Sequence, residues 1–474
     1  MKKRISCMLL ASALLLGLAA CGGGQALAGP DVPAEISADA GAKARPSGGT
    51  DPGKIETPEG GTAGTGDDGG RTVCPEETEE PGPVVIDLDG TAANPVWFED
   101  SLQAYLDNGC GMADTSYMVS PASFRAALCL ALEGAGGETR TPLLKAAGFG
   151  SDGSMRAWYD GLLAARDGFM DRYTILKTES GEWGDGSDPG MAFDIANGLW
   201  DNASIDGGFT DAYAELVSGR YGAAVSSSPA GTITDDVNAW CSDATNGMID
   251  GISDDLSGAS SVLANALYVK SAWKDGFSGY MTGKGDFTKS SGDIAAMDFM
   301  RQTEKFRYSE DEAGRRYAAF GLEGGLWLTV CLDPDARVQD LYGSMYDAGY
   351  SLLNVRMPKL DLETSFSAGE LAGFLASCGA GGALSDGADF SNMTDSPYGW
   401  HIDDIVQKTR LKTDEDGLEA AAATAIMMAD NAMVLEPEEP IEFYMDSPFS
   451  FLFTYGLYGR DEGSMVLFFG RFAG

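Results

Sequence analysis

The stretch that decides the fold runs from Asp414 to Glu439 and reads DEDGLEAAAATAIMMADNAMVLEPEE. Helix propensity alone predicts an Ala-rich surface helix, or a loop, over Leu418 to Met428, because alanine is the strongest helix former. The segment has no amphipathic stripe, however. If the segment is instead a β-strand, its side chains alternate between two faces, and alternate residues from Leu418 to Met428 share one face and carry no charge. That face could enter a sheet that has already formed, and both interpretations stay open on this segment alone.

The composition restricts the possible partners. The chain has 474 residues and a formal net charge of −40, and 44% of its residues are hydrophobic, which is enough for a substantial core. So acidic a chain is not expected to bind nucleic acid or anionic membrane surfaces, because phosphate groups bind to basic patches. The single histidine, His401, argues against a histidine-based metal site and leaves one imidazole for any catalytic nucleophile.

The amino terminus resembles a bacterial lipoprotein signal. A basic start, KKR at residues 2–4, precedes an apolar stretch from Ile5 to Ala20 that is too short to span a bilayer comfortably. The sequence then reads LAAC, and Cys21 is followed by three glycines. We therefore expect residues 1–20 to be a lipoprotein signal peptide and Cys21 to be lipidated, which anchors the protein at the cell surface, facing the extracellular space, without spanning the membrane. An ordinary secretory signal with a cysteine beside its cleavage site is the alternative.

Residues 21–92 are expected to form a flexible tether. They are rich in Gly, Pro and acidic residues, and such a composition cannot bury enough apolar surface to offset the entropy lost on ordering. Folded sequence is expected to begin between Val84 and Trp97. The globular domain is therefore assigned to residues 93–474, held away from the cell surface by the tether.

Helix and strand signals are mixed through the globular part. The run from Ser120 to Ser123 is typical of a helix cap with proline in the first turn, and an apolar helix is predicted from Phe124 to Leu132. Apolar and aromatic runs predict strands, three of them close together near the carboxyl terminus. This mixture indicates an α+β fold. The predicted strands are Asn197–Trp200, Ser261–Val269, Leu326–Leu332, Asn354–Met357, Ile441–Tyr444, Phe449–Thr454 and Met465–Phe472.

The cysteines beyond Cys21 are less informative. Export would permit disulfides, but the spacings are wide and match no metal-site or small-scaffold pattern. Cys129 and Cys331 lie in apolar runs and are expected to be buried core thiols. We assign no disulfide pairing.

Six blocks of sequence carry a resemblance to the serpin family. Residues 415–424 (EDGLEAAAAT) look like the reactive-loop hinge of serpins, and NALYVKSAWKDGF from Asn265 is the most specific of the other five blocks. The resemblance extends from about Asn94 to the carboxyl terminus. It implies the serpin fold, which has three β-sheets, surrounding helices and an exposed reactive loop, here at about 415–439. The remaining blocks are MVSPASFRAALCLALEGAGGET from Met118, NGLW from Asn197, WCSDATNGMI from Trp240, and FYMDSPFSF from Phe443 with FFGRF ending at Phe472.

This resemblance implies inhibition of proteases by a conformational change. A serine or cysteine protease cleaves one bond of the exposed loop and becomes a covalent acyl-enzyme. Before water can release it, the freed loop inserts as a new central strand and carries the protease on the order of 50 Å, at roughly 3.3 Å per residue, so that its oxyanion hole is lost. A serpin has no catalytic residues of its own and needs no cofactor or metal. We expect a monomer whose partner is the target protease.

The residue types of the hinge can then be explained physically. Gly417 permits the backbone reversal where insertion starts, because it lacks a Cβ. Ala420 to Ala423 fit between two strands without displacing core side chains. Leu418 departs from the family, which usually has Thr or Ser there, and its bulk could slow insertion. The predicted hinge comprises Glu415, Gly417, Leu418, Glu419, Ala420, Ala421, Ala422, Ala423 and Thr424.

The resemblance also implies a sheet-opening region, which comprises Ser120, Ser123, Asn265, Trp273 and Gln407. The family commonly has a histidine at the position of Gln407, hydrogen-bonded to the serine block. Glutamine offers both a donor and an acceptor, so we expect it to bond Ser120 or Ser123 without a titratable group. Trp273 matches the tryptophan under the point where insertion begins. Ordinary core packing is the alternative for Trp273, and both can hold.

Two counts place the scissile bond differently. Counting forward from Gly417 gives Asn431–Ala432, whereas counting back from Pro448 gives a bond near Glu436–Pro437 that the proline would protect. The hinge count is preferred, because insertion length is measured from the hinge. No Lys or Arg occurs from residue 413 to 459, which predicts elastase-, chymotrypsin- or subtilisin-like targets, or papain-like cysteine proteases, rather than trypsin-like enzymes. The candidates for the cleaved position are Asn431, Ala432, Met428, Met433 and Leu435.

Other functions stay open beside protease inhibition. The chain could be a non-inhibitory, substrate-like serpin. It could also be a tethered binding lipoprotein, although such a module needs no alanine-rich hinge. A hydrolase would depend on His401, which lies beside two acidic residues in GWHIDD and is expected at the surface.

Overall fold

The computed structural model of the protein describes residues 95–179, 190–205, 207–367, 369–397, 399–402, 405–418, 439–457 and 464–474. The predicted signal peptide, the lipid anchor Cys21 and the tether at 21–92 lie outside these residues. The hinge from Glu419 to Thr424 and every candidate for the cleaved position also lie outside them.

Eight α-helices lie within the described residues, and the one predicted from Phe124 to Leu132 is confirmed. It runs from Pro121 to Gly134, and the hydroxyl of Ser120 caps it by accepting a hydrogen bond from the Ser123 amide at 3.1 Å. No helix in the described ranges is both long enough and apolar enough to cross a membrane. The helices are α1 (Trp97–Ala104), α2 (Pro121–Gly134), α3 (Gly137–Ala146), α4 (Asp152–Glu179), α5 (Asp211–Tyr221), α6 (Ile233–Ala244), α7 (Val338–Gly343) and α8 (Glu370–Leu375).

Fifteen strands lie within the described residues, and all seven strands predicted from the sequence are among them. The main difference is length, since several strands continue beyond the apolar run that predicted them. The strands are β1 (Tyr117–Val119), β2 (Ala192–Asn202), β3 (Ala224–Ser228), β4 (Ser261–Ala272), β5 (Gly283–Thr288), β6 (Ile294–Glu310), β7 (Arg316–Gly321), β8 (Leu326–Cys331), β9 (Gly349–Pro358), β10 (Asp361–Phe366), β11 (Gln407–Lys412), β12 (Gly417–Leu418), β13 (Ile441–Tyr444), β14 (Phe449–Tyr455) and β15 (Met465–Phe472).

The strands of the described residues form three sheets. The largest has nine strands in the order β1-β15-β14-β8-β7-β6-β9-β13, with β5 paired to β6. A four-stranded sheet has the order β12-β4-β2-β3, and β10 and β11 form a separate antiparallel pair. The predicted α+β class with three β-sheets and surrounding helices is confirmed.

The core lies mainly on one face of β4. Leu267 and Val269 point into the main apolar cluster, which includes α2 and the aromatic residues of β14 and β15. Val262 and Ala264 point the opposite way, into a small cluster with Ile233 and Val237 of α6. Strand β4 is therefore covered on both faces, and only its edge is left for another strand.

Cys129 and Cys331 are buried, as predicted, and neither forms a disulfide. Burial raises the pKa of the Cys129 thiol to about 12 and that of the Cys331 thiol to about 11, because the charged thiolate is poorly solvated in the core. The two cysteines therefore behave as small apolar residues and not as reactive groups.

Candidate functional site

A cleft separates the four-stranded sheet from the two-stranded sheet, and we call it the sheet cleft. It is bounded by β4 on one side and β11 on the other, and a narrow cavity of about 50 Å³ is lined by residues of both strands. Within the described residues, the outer edge of β4 pairs only with β12, and β11 has β10 as its one strand partner. The two facing edges therefore carry main-chain groups that could pair with an additional strand.

Two hinge residues, Gly417 and Leu418, already occupy one end of this cleft. Gly417 pairs with Ala272 and Leu418 with Ser271 in antiparallel register, and Leu418 also bridges to Thr413 at the end of β11. The Leu418 side chain is 6% exposed and belongs to the main core cluster. Leu418 is thus in a strand, and the alternative of a surface helix is wrong at this residue.

A close contact with β4 leaves no space for a side chain at Gly417. A Cβ on this residue would lie 2.2 Å from the carbonyl oxygen of Ser271 and 2.7 Å from Cα of Ala272. The glycine therefore permits the close approach of the hinge to β4, and any side chain there would push the two strands apart.

The turn before Gly417 is held by Asp414 and Trp273. One carboxylate oxygen of Asp414 accepts hydrogen bonds from the amides of Asp416 and Gly417, at 3.0 and 3.3 Å. The indole Nε1 of Trp273 donates to the carbonyl of Asp414 at 2.8 Å, and the Trp273 amide donates to the carbonyl of Asp416 at 3.0 Å. Trp273 is also buried in the main core cluster, so it combines core packing with contacts to the turn before Gly417. Asp414 was not singled out from the sequence, although Asp before a tight turn is a recognisable signal.

Glu415 is fixed by two side chains that the sequence did not indicate. Its carboxylate lies 2.5 Å from Nζ of Lys359 and accepts a hydrogen bond from the Thr282 hydroxyl at 2.7 Å. Desolvation raises the pKa of Glu415, but the bonds from Lys359 and Thr282 outweigh it, so the pKa lies below its ordinary value. Lys359 and Thr282 are far from the hinge in sequence, and only the fold brings them to it.

Gln407 is bonded to both main-chain groups of Ser120 beneath the sheet. Its Oε1 accepts from the Ser120 amide at 3.0 Å, and its Nε2 donates to the Ser120 carbonyl at 2.9 Å. Gln407 is 7% exposed and Ser120 is 1% exposed. The neutral amide thus satisfies two buried groups with no titratable proton. The Ser120 hydroxyl has other partners, since it donates to the carbonyl of Leu467 at 2.8 Å and caps α2.

Asn265 connects this cluster to β4. Its main-chain carbonyl accepts a hydrogen bond from the Ser123 hydroxyl at 3.3 Å. Its Nδ2 donates to the carbonyl of Ala196 at 3.2 Å and to Oδ1 of Asn197 at 2.8 Å, which fixes the orientation of the amide. The remaining oxygen, Oδ1 of Asn265, is buried and has no hydrogen-bond donor among the described residues. The structure therefore brings Ser120, Ser123, Asn265 and Gln407 together, while Trp273 lies at the opposite, hinge end of β4.

His401 lies away from the hinge. Its side chain is 32% exposed, and its Nδ1 is 3.8 Å from a carboxylate oxygen of Asp386. No group of three or more His, Cys, Asp or Glu side chains suited to a metal ion occurs among the residues that the structure describes.

Replacing Gln407 tests the cluster under the sheet. Gln407→Ala should destabilise the protein by about 1–3 kcal/mol, because it leaves the buried Ser120 amide unpaired and removes one of the two hydrogen bonds to the Ser120 carbonyl, which keeps the bond from the Phe124 amide. Unfolding in guanidinium chloride measures this loss. Lys412→Ala, at an exposed position of the same strand, is the control and should change the stability by less than about 0.5 kcal/mol. Equal effects of the two substitutions would contradict the assigned role.

The lowered pKa of Glu415 predicts a pH-dependent contribution to stability. A carboxyl whose pKa is depressed in the folded state stabilises the protein above its unfolded pKa of roughly 4.3, and this contribution is lost as the pH falls through the folded value. We expect the difference in unfolding free energy between the wild type and Glu415→Gln to be full near neutral pH and to shrink at acidic pH. A pH-independent effect of Glu415→Gln on the unfolding free energy would refute the prediction.

Comparison with known proteins gives a consistent result. Residues 106–474 match the family model described as Serpin (serine protease inhibitor). Serpin-ZXA of Oryza sativa subsp. japonica is 28% identical over 389 residues, which cover 76% of this chain and 90% of that protein. The chain also matches the structure of Serpin48 of the insect Tenebrio molitor (TM-score 0.61, 23% identity, 80% of this chain and 97% of that one) and the native thermophilic serpin Tengpin (TM-score 0.62, 21% identity, 80% and 92%). The open sheet edge, the glycine-anchored hinge and this match over most of the chain lead to one conclusion: the protein belongs to the serpin family.

Proposed function

We propose that this protein is a suicide-substrate inhibitor of serine endopeptidases, with papain-like cysteine endopeptidases as a second class of target. The observation that carries the proposal is the sheet cleft, into which Gly417 and Leu418 are already paired at one end. The family is one of protease inhibitors in general. An unfilled strand position next to an alanine-rich segment is the arrangement that inhibition by strand insertion requires.

The chemistry belongs to the target protease. Its serine or cysteine nucleophile attacks the carbonyl carbon of the scissile bond, the C–N bond breaks, and the new amino group leaves with the carboxyl-terminal piece. The residue before the bond is then held to the protease as an ester or thioester. Water would normally hydrolyse it, so inhibition requires that insertion be faster than deacylation. Insertion of about 15 residues at roughly 3.3 Å each moves the attached protease by about 50 Å.

The orientation of the flanking strands favours insertion. β4 and β11 both run toward the hinge, and β12 is antiparallel to β4. A strand that continues β12 would therefore be antiparallel to both neighbours, which is the more stable pairing. Each main-chain hydrogen bond that it makes would contribute about 1 kcal/mol net.

Leu418 supports inhibition rather than a substrate-like serpin. The sequence suggests that its bulk could obstruct the start of insertion, but its side chain is already buried in the core cluster. The first inserting position therefore needs no further displacement of core side chains.

We expect elastase to form an SDS-stable complex with the protein and to leave a clipped form that unfolds at a higher temperature than the intact one. Ala422→Glu should reduce the yield of complex more than tenfold, because its charge would share the buried face of Leu418 and burying it costs several kcal/mol. Ala422→Ser, which adds a small uncharged group at the same position, is the matched control and should be milder. Gel electrophoresis of the reaction products measures the yield.

Trypsin provides the opposite test. It should form no complex through this loop, since residues 413–459 contain no Lys or Arg. An SDS-stable complex with trypsin at the loop would overturn the proposed specificity. A clipped protein with an unchanged melting temperature would overturn insertion itself.

The location of the protein is a separate proposal that rests on the sequence alone. Residues 1–20 have the pattern of a lipoprotein signal, Cys21 is the acylated residue, and residues 21–92 tether the serpin domain at residues 93–474 to the outer surface of the membrane. A monomer tethered in this way would present its reactive loop to proteases outside the cell.

Replacing the anchor tests this location. Cys21→Ser should release the protein from the membrane fraction into the aqueous fraction, because the acylated residue is lost. Cys110→Ser, which changes a free cysteine of the folded domain, should leave the partition unchanged. Mass spectrometry of the amino-terminal peptide identifies the modification, and an unmodified Cys21 in membrane-bound protein would contradict the anchor.

A further inference from the structure

A large cavity lies beside helix α2, at the end of β4 that is farthest from the hinge, and we call it the α2 cavity. Its volume is about 520 Å³, which is within the range of small-molecule sites, roughly 300–1,000 Å³. Its wall is formed by α2, the segment 252–260, the first residues of β4, α8 and the segment 390–406. The large apolar side chains of the wall include Phe124, Leu128, Leu263, Leu371, Phe390 and Met393.

Two of these wall segments are tied to other parts of the fold. Asn238 of α6 holds the segment before β4, since its Oδ1 accepts a hydrogen bond from the Ile252 amide at 2.8 Å and its Nδ2 donates to the Ser253 carbonyl at 2.8 Å. In the segment 390–406, the carbonyl of Met393 accepts from the Thr210 amide at 2.9 Å. The walls therefore cannot close on the cavity without breaking these bonds.

Two buried polar atoms of the wall have no hydrogen-bond partner among the described residues. One is an acceptor, Oδ1 of Asn265, and the other is a donor, Nε1 of Trp400. The Asn265 amide is held in place, because its Nδ2 is bonded to the carbonyl of Ala196 and to Oδ1 of Asn197. Trp400 is 6% exposed, and its ring packs edge-on against Phe209 with 5.3 Å between the centroids. Each unpaired atom costs free energy that a bound molecule with the complementary group would recover.

The α2 cavity offers little to balance the charge of a ligand. Of the described residues in its wall, two have ionisable side chains, Asp255 and His401. Asp255 is exposed, and the His401 side chain is 32% exposed beside Asp386. Burying a charge without a partner is costly. A ligand that enters the apolar part of this cavity is therefore expected to be uncharged.

We propose that the α2 cavity is a binding site for an uncharged, mainly apolar small molecule that carries a hydroxyl group and a carbonyl group. The hydroxyl donates to Oδ1 of Asn265, the carbonyl oxygen accepts from Nε1 of Trp400, and the apolar body covers the side chains of the wall. Binding requires neither the hinge nor cleavage of the loop, so the proposal does not rest on the inhibitory function proposed above.

Three naphthalene derivatives test the class of ligand. The probe 6-acetyl-2-naphthol carries both groups, 2-acetyl-6-methoxynaphthalene lacks the donor, and 6-ethyl-2-naphthol lacks the carbonyl. The protein is the intact full chain, produced without its lipid so that no detergent competes for the probe. Isothermal titration calorimetry should show one-to-one binding of 6-acetyl-2-naphthol, and the methyl ether should bind about tenfold more weakly, because it leaves Oδ1 of Asn265 unpaired.

Substitutions locate the probe. Trp400→Phe keeps an aromatic ring and removes the donor, so it should weaken the binding of 6-acetyl-2-naphthol about tenfold and leave that of 6-ethyl-2-naphthol unchanged. Ala127→Phe places a ring in the cavity from α2 and should abolish the binding of both. Trp327→Phe, in β8 and outside the wall, is the matched control and should change neither affinity. Unfolding midpoints of the three variants check that they are folded.

The results that would overturn the proposal are distinct. Absence of saturable binding to the wild-type chain contradicts the site itself, and binding that survives Ala127→Phe places the probe elsewhere. Equal effects of Trp400→Phe and Trp327→Phe, or equal affinities of 6-acetyl-2-naphthol and its methyl ether, contradict the assigned hydrogen bonds and with them the class of ligand. The comparison of the probes on the wild-type chain needs no substitution, so it decides the question even if a variant fails to fold.

Discussion

One edge of β4 faces β11 and carries main-chain donors and acceptors. Within the described residues, the part of this edge before Ser271, where the pairing with Leu418 ends, has no neighbouring strand. An unpaired backbone N–H or C=O group costs free energy when it is buried, so a long strand edge is a template for pairing with another strand. The protein nevertheless covers both faces of β4, with the main core on one side and α6 on the other. The fold is thus complete in its layers and incomplete in one strand position, and the proposed activity depends on that position.

The hinge connects this unfinished sheet to the loop. Asp414, Trp273 and Glu415 fix the turn, and Gly417 passes so close to Ser271 that a side chain would not fit. The pairing of Gly417 and Leu418 with β4 therefore already fixes the register in which a strand that continued from them would pair. A preset register matters because a slip of one residue would turn every side chain to the opposite face of the sheet.

Much of this could be predicted from the sequence, because local signals and the architecture agree. The Ser120 cap, the apolar strands and the two buried cysteines follow from residue type and spacing. The contacts of Lys359 and Thr282 with Glu415 could not be predicted, since they join segments that meet only in the folded protein. The resemblance suggested that Leu418 is an obstacle, whereas packing makes it part of the core. Gln407 was expected to bond Ser120 or Ser123 and bonds the main chain of Ser120.

The main-chain groups of the open edge would pair in the same way with the protein's own loop and with another extended peptide of small residues. In the proposed insertion, the covalent connection at Gly417 would favour the loop, because it makes pairing an intramolecular event with a raised effective concentration. A free peptide would compete only at comparable concentrations. The edge would therefore pair with the protein's own loop in preference to other peptides because the two belong to the same chain.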